Sequence, residues 1–242
     1  MNKKNVISMS LYGGDPKYSE GVKHNAKLAK EHFPSWEFRV YTDNNLDLNV
    51  KNGLLDLGVN LITVNNKFMG MFWRFFVYDD PSVNRFIIRD ADDRLNNHDR
   101  LIVDEWLKYD LPFHIIRSNS ISHGIEILGG AWGGTANSID GFSIIKEIEK
   151  YSNKTCIKFC DQYFLKDVLW PKIKNISLTH GYTYGYETHK HIPFNVEYPI
   201  SLHLDNLKKI GIDVNQHDIP KNMFFYPIGE VYGNNIEKSF YE

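Results

Sequence analysis

The chain predicts an α/β fold, a mostly parallel central sheet with helices on both faces in a single domain, and three observations carry that expectation. Residues 86–88, Phe-Ile-Ile, form a short continuous apolar run, the pattern of a strand covered on both faces. Strand-type and helix-type segments alternate over residues 6–64, as parallel strands joined by crossover helices require. At 242 residues the chain sits near the upper size of one hydrophobic core, so one domain with a short appendage is expected.

Residues 6–12 read as the first strand, and Gly13-Gly14-Asp15-Pro16 as a turn that lets backbone approach a ligand closely. Helical spacing over 17–33 puts Val22, Ala26, Ala29 and Phe33 on one side, and Pro34 ends the helix. A second strand over 36–41 closes in Thr42-Asp43-Asn44-Asn45. A short helix over 48–57 and a third strand over 59–64 complete the next unit. No G-x-G-x-x-G and no G-x-x-x-x-G-K-[ST] occurs, which disfavours a dinucleotide fingerprint and a Walker-type phosphate loop.

Residues 69–78 are apolar apart from Arg74 and read as a buried helix. A buried guanidinium must meet an anion, so Arg74 either pairs with a nearby carboxylate or reaches a phosphate. The strand at 86–88 then runs into Arg89-Asp90-Ala91-Asp92-Asp93-Arg94. Side chains alternate along extended backbone, so Asp90 and Asp92 share a face and Asp93 takes the other. That sets two hard oxygen donors at the carboxyl end of a central strand, where open α/β sheets bind ligands. Mg²⁺ or Mn²⁺ bridging a bound diphosphate suits them; a solvated turn is the plain alternative.

A helix over 100–109 and a strand over 112–117 follow. Residues 121–135 are rich in glycine around Trp132, poor material for strand or helix, and read either as backbone held close to a flat sugar ring or as a tight corner filled by a core Trp. Helices are expected over 139–151 and 160–169, the second opening with Asp161-Gln162 and stopped by Pro171. Asp161 there caps the helix or complements its dipole. A strand over 173–178 leads to Thr179-His180-Gly181. From residue 182 the chain is irregular, with a short helix at 203–210, and reads as a cover over the site.

Composition excludes several classes. A net charge of −2 argues against a dedicated nucleic-acid binder, without excluding a nucleic-acid substrate on a local patch. No run approaches the roughly 18 apolar residues of a membrane span. The short, Ser-interrupted apolar stretch after Met1-Asn2-Lys3-Lys4-Asn5 is a strand rather than a signal peptide, so a cytoplasmic location is expected. Cys156 and Cys160 have no second pair to complete a zinc site and are expected as reduced thiols.

Taken in order, Leu11-Tyr12-Gly13, Trp73-Arg74-Phe75, Arg89-Asp90-Ala91-Asp92-Asp93-Arg94, Gly129-Gly130-Ala131-Trp132-Gly133, Asp161-Gln162 and His180 resemble the motif series of metal-dependent glycosyltransferases of the GT-A (Rossmann-like) fold. More closely, the chain is similar to a group of small bacterial and viral nucleotide-sugar transferases of that kind. It departs from them in Asp93, where Ser is usual, and in Gly181, where an acid is common after the His. The resemblance implies a hexosyl- or pentosyltransferase using a nucleoside diphosphate sugar, UDP-sugar favoured, with Mn²⁺ (or Mg²⁺), and a glycan acceptor, or else a modified DNA base. It implies a nucleotide-sugar-binding core at 1–181 and an acceptor-side cover at 182–242. Asp90, Asp92 and His180 would hold the metal. Leu11, Tyr12, Gly13 and Asp43 would hold base and ribose, Arg74 and Arg89 the diphosphate, and Gly130 and Trp132 the sugar. Asp161 would face the reacting carbon or acceptor hydroxyl. An inverting path also needs a group to take the acceptor proton, for which Asp161, His123 and Glu126 are candidates.

Two other classes compete. A nucleotidyltransferase or phosphohydrolase would use Asp90, Asp92 and Asp93 for metal-assisted phosphoryl chemistry. A catalytically silent carbohydrate-binding protein would carry the fold without the reaction.

Overall fold

Period-two alternation along the first strand sets the layers of the molecule. In β1 (Lys4–Leu11), Ile7, Met9 and Leu11 face one side and pack with Val22, Ala26 and Ala29 of α1 (Pro16–His32). Val6 faces the other side and joins an aromatic core containing Phe72, Phe75, Tyr78 and Trp132. The computed structural model describes residues 3–65, 68–117, 125–151, 159–181, 191 and 192. After α1 come β2 (Glu37–Thr42), α2 (Leu48–Asp56) and β3 (Asn60–Thr63). A 3₁₀ segment, Gly70–Asp79, leads into β4 (Val83–Ile88), α3 (Asn97–Tyr109), β5 (Phe113–Arg117) and β6 (Trp132–Thr135). The described chain closes with α4 (Ile144–Tyr151), α5 (Cys160–Phe164), a π-helical turn (Leu165–Leu169), α6 (Trp170–Ile173), β7 (Ser177–Gly181) and β8 (His191–Ile192).

These strands form one sheet in the order β3-β2-β1-β4-β6-β5-β7-β8. Pairing is parallel except for β6, which runs antiparallel to both β4 and β5. The fold class read from sequence is therefore the one observed. From β1 the chain steps outward to β2 and β3, then crosses back to lay β4 on the other side of β1. That reversal opens a crevice beyond the carboxyl ends of β1 and β4, the usual ligand position in such sheets.

Helix starts follow local rules. Asp15 caps α1 by accepting from the Lys17 N–H at 2.9 Å, with Pro16 in the first turn, where a missing N–H costs nothing. Asp47 and Asn96 cap α2 and α3 in the same way. The apolar segment at Gly70–Asp79, expected as an α-helix, is instead 3₁₀. At three residues per turn, side chains at i and i+3 eclipse. Phe72, Phe75 and Tyr78 therefore form one core ridge, and Met71 and Arg74 form another that faces the crevice. Ser8 and Ser10 lock this register: the Ser8 hydroxyl donates to the Arg74 carbonyl at 2.7 Å, and Ser10 Oγ accepts from the Arg74 N–H at 2.9 Å.

Three further expectations are corrected. The glycine-rich run contributes a strand, β6, because neighbouring groups leave no room for side chains: a Cβ at Gly133 would stand 2.4 Å from the Phe86 carbonyl oxygen, and one at Gly134 would stand 2.8 Å from the Phe113 ring. Pro171 does not stop its helix; the π turn just before it absorbs the proline, which has no N–H to donate, and helix continues to Ile173. Cys160 is disulfide-bonded rather than a free thiol; Cys156 lies outside the described residues, as do His123, the helix expected at 203–210 and, β8 apart, the cover at 182–242. Among the described residues, no helix is long and apolar enough to cross a membrane.

Candidate active site

A cleft of about 340 Å³ lies at the crevice, lined by Ser10 and Tyr12 from the β1 end, Tyr18 from α1, Met71 and Arg74 from the 3₁₀ ridge, Asp90, Ala91 and Asp92 from the turn after β4, Gly129, and Phe159, Asp161 and Gln162 at the start of α5. Its volume falls within the range of small-molecule sites. The β-alternation of β4 continues into it. Phe86 and Ile88 face the aromatic layer, so Asp90 does too, while Arg89 turns to the α3 side.

Arg74 organises the floor. One terminal nitrogen donates to Asp90 Oδ1 and the other to Asp161 Oδ2 at 2.8 Å. Burial works against its charge, but the two carboxylates outweigh burial and hold the guanidinium above its ordinary range. Asp161 is fixed a second time, its Oδ1 accepting from the Gln162 N–H at 2.9 Å. Gly129 and Gly130 make room for this triad: a Cβ at Gly129 would lie 2.5 Å from Asp161 Oδ2, and one at Gly130 would lie 2.0 Å from Asp90 Oδ2. These glycines serve the carboxylates before any sugar. Arg74 thus takes the carboxylate alternative left open by the sequence.

At the cleft mouth Asp92 Oδ2 bonds Lys17 Nζ at 2.7 Å. That hydrogen bond, working against burial, raises the Lys17 pKa. Asp93 does not line the cleft, and its carboxyl is pushed up to about 8 by burial and by the charges of Asp90, Asp92 and Asp99. The acidic turn is clamped to α1. Asn25 donates to the Asp93 carbonyl at 2.6 Å and accepts from the Leu95 N–H at 2.9 Å, while Gly21 lies directly beneath the Ala91 carbonyl.

The other expected residues divide. Tyr12, 41% exposed, sets its ring edge-on to Trp73 and over Gly70, where a Cβ would come within 2.2 Å of the ring. Burial, ahead of the nearby Asp161 and Asp90, raises its hydroxyl pKa, with Arg74 pulling the other way. Gly13, at φ +74, has open space around it. Asp43, at the carboxyl end of β2, closes a local turn by accepting from the Asn45 N–H at 2.8 Å and does not line the cleft. Leu11 points into the α1 core.

Trp132, Arg89 and His180 are not brought to the cleft either. Trp132 is fully buried between Phe75 and Phe86, because it pairs with Ile88 and Ile115 on the aromatic face. Arg89 is sealed on the α3 side, 3.0 Å from Asp99. His180 shares that side with Leu178: its Nδ1 meets His114 Nε2 at 3.1 Å and its Nε2 meets Glu105 Oε2 at 3.0 Å. Glu126, too, is absent from the lining; its carbonyl accepts from Arg117 at 2.8 Å. The sequence reading missed Ser10, Lys17, Tyr18, Met71 and Phe159. For Ser10 there was a signal, a hydroxyl placed at period two with Ser8 in a buried strand; for Lys17 there was none.

A hard divalent cation fits what is present. Asp90 and Asp92 face one cleft, and the Asp90–Arg74–Asp161 triad holds one cation against two anions, leaving negative charge in excess. No three His, Cys, Asp or Glu side chains gather as a metal cage among the described residues. Mg²⁺ and Mn²⁺ do not need one, since water and phosphate oxygens complete their shells.

Solved structures resemble this chain at low sequence identity. The 4-diphosphocytidyl-2C-methyl-D-erythritol synthase of Anaerococcus prevotii superposes with a TM-score of 0.50 at 10% identity, over 80% of this chain and 90% of the synthase. This chain shares that synthase's fold. A cytidylyltransferase from Leptospira borgpetersenii aligns at a TM-score of 0.47 and 11% identity, over 78% of this chain and 80% of its own. A glycosyltransferase involved in glycosylation of the PBCV-1 major capsid aligns at 0.45 and 10%, over 73% and 81%. No family model and no curated protein sequence matches.

Proposed function

We propose that the chain is a metal-dependent glycosyltransferase that moves a sugar from a nucleoside diphosphate sugar, a UDP-sugar first among them, to a glycan acceptor. The observation that supports this best is the convergence of Asp90, Asp92 and Asp161 on one cleft at the sheet's switch point, beneath the rings of Tyr12 and Tyr18. Tyr12 offers a half-exposed face on which a base can stack. Gly13 leaves backbone open to the ribose. Asp90 and Asp92 would hold Mn²⁺ or Mg²⁺, and the bound ion would supply positive charge for the departing diphosphate. Asp161, already oriented by Arg74 and the Gln162 N–H, keeps lone pairs for a hydroxyl of sugar or acceptor. Arg74 holds both carboxylates in place and keeps the pair from repelling each other.

Incubating the purified chain with a panel of nucleotide sugars and Mn²⁺ should release a nucleoside diphosphate from at least one of them. Asp92→Asn should abolish the release; unchanged turnover in that variant sinks the reading. A nucleotidyltransferase is the second reading, favoured by the fold shared with the synthase over 80% of this chain. It would release pyrophosphate from a nucleoside triphosphate, so identifying the leaving group separates the two.

A further inference from the structure

The two arginines expected to answer a diphosphate are both engaged elsewhere. Arg74 has its terminal nitrogens on Asp90 and Asp161, and Arg89 is closed against Asp99 on the opposite side of the sheet. Lys17 differs from both. It stands in the first turn of α1, just past the Gly13-Gly14 turn, with its side chain 55% exposed and its ammonium on Asp92. The pair spans 75 residues of sequence, so the fold, rather than helical proximity, brings it together. A lysine's four-carbon stem gives its ammonium reach, and with the side chain more than half exposed, moving it gives up little beyond the Asp92 pair and a 5.4 Å approach to the Tyr18 ring. Asp92 is also one of the two carboxylates suited to a divalent cation, which would repel an ammonium held on the same group.

We propose that Lys17 is a phosphate-binding residue kept in place by Asp92. In the ligand-free protein it is the counter-ion of that carboxylate; when a divalent cation takes Asp92, the ammonium moves to the diphosphate of the nucleotide. This rests on the transferase reading above. Its consequence is positive coupling: the cation frees the lysine that the nucleotide needs, and by reciprocity the nucleotide tightens cation binding.

The test compares wild type, Lys17→Met and Lys17→Arg in two titrations that need no turnover. Mn²⁺ alone is followed by loss of the free-ion paramagnetic signal, and UDP or CDP is titrated calorimetrically at saturating Mn²⁺. Removing an exposed competitor should let K17M bind Mn²⁺ alone about two- to fivefold more tightly. Losing a charge-assisted phosphate contact should weaken its binding of the diphosphate by about tenfold. K17R keeps a cation at the position and should stay within about threefold of wild type in both titrations. Unaltered diphosphate affinity in K17M, or unaltered or weaker Mn²⁺ binding, overturns the proposal while the transferase reading stands. Wild type that binds neither Mn²⁺ nor nucleotide overturns both.

Discussion

Gly21→Ala sets two effects of opposite sign against each other. In the middle of α1, alanine should stabilise by about 1 kcal/mol through helix propensity alone. The added Cβ, however, would stand 2.0 Å from the Ala91 carbonyl oxygen and 3.0 Å from Arg94. An ordinary carbon–oxygen contact is about 3.3 Å, so the turn must retreat by roughly 1.3 Å. It cannot do so freely, because Asn25 holds the Asp93 carbonyl and the Leu95 N–H from the next turn of the same helix. Overpacking of this kind costs about 1–3 kcal/mol, and against a tethered backbone the upper half applies, for a net loss of roughly 1–2 kcal/mol. For a chain of this size that is a fall in Tm of about 3–6 °C. Asp90 and Asp92 ride on the displaced turn, so donor turnover should drop by about a hundredfold, as misplacements near 1 Å do. Thermal unfolding followed by circular dichroism, with donor hydrolysis on the same samples, gives both readouts. A variant more stable than wild type with undiminished turnover would refute the clamp.

Three other perturbations have defined outcomes. Arg74→Met leaves the buried Asp161 carboxylate, and the partly exposed Asp90 beside it, without their cation and should cost about 2–3 kcal/mol in urea unfolding, the exposed partner being screened by solvent. Ser8→Ala removes the donor to the Arg74 carbonyl on the underside of the 3₁₀ ridge and should cost about 1–2 kcal/mol. His114 is held neutral well below its ordinary range, by burial first and then by the facing His180 and Arg89. Unfolding exposes it to titrate near 6.5, so acid favours the unfolded chain: the contribution is intact above that pH and is lost as pH falls beneath it, by about 1.4 kcal/mol per pH unit. Urea midpoints between pH 7 and pH 5 should show this decline, and His114→Phe should flatten it.

Much of this was legible in the sequence because it depends on local rules. The α1 stripe and the run into Asp90 and Asp92 are short-range patterns, and each appears where expected; the Asp15 cap is as local, but in sequence that stretch reads only as a turn. The same alternation that turns Asp90 to the cleft also turns Arg89 away from it, so that misplacement was readable in principle. Trp132 and His180 were not: their faces depend on β6 running antiparallel between β4 and β5 and on β7 pairing with β5, which are long-range facts. The 3₁₀ winding of Gly70–Asp79 follows from two serines on another strand, and the glycines at 129 and 130 follow from carboxylates that arrive from β4 and α5. Lys17 has no pattern of its own, since its partner lies across the fold.

A cation between Asp90 and Asp92 is what the whole functional reading turns on, and anomalous diffraction at the manganese edge looks for it directly. Crystals soaked in Mn²⁺ and UDP should give a peak within bonding distance of Asp92 and beside the diphosphate, about 2.0–2.4 Å from the carboxylate oxygen. Well-ordered nucleotide in the cleft with no manganese peak there, and Lys17 still on Asp92, would contradict it.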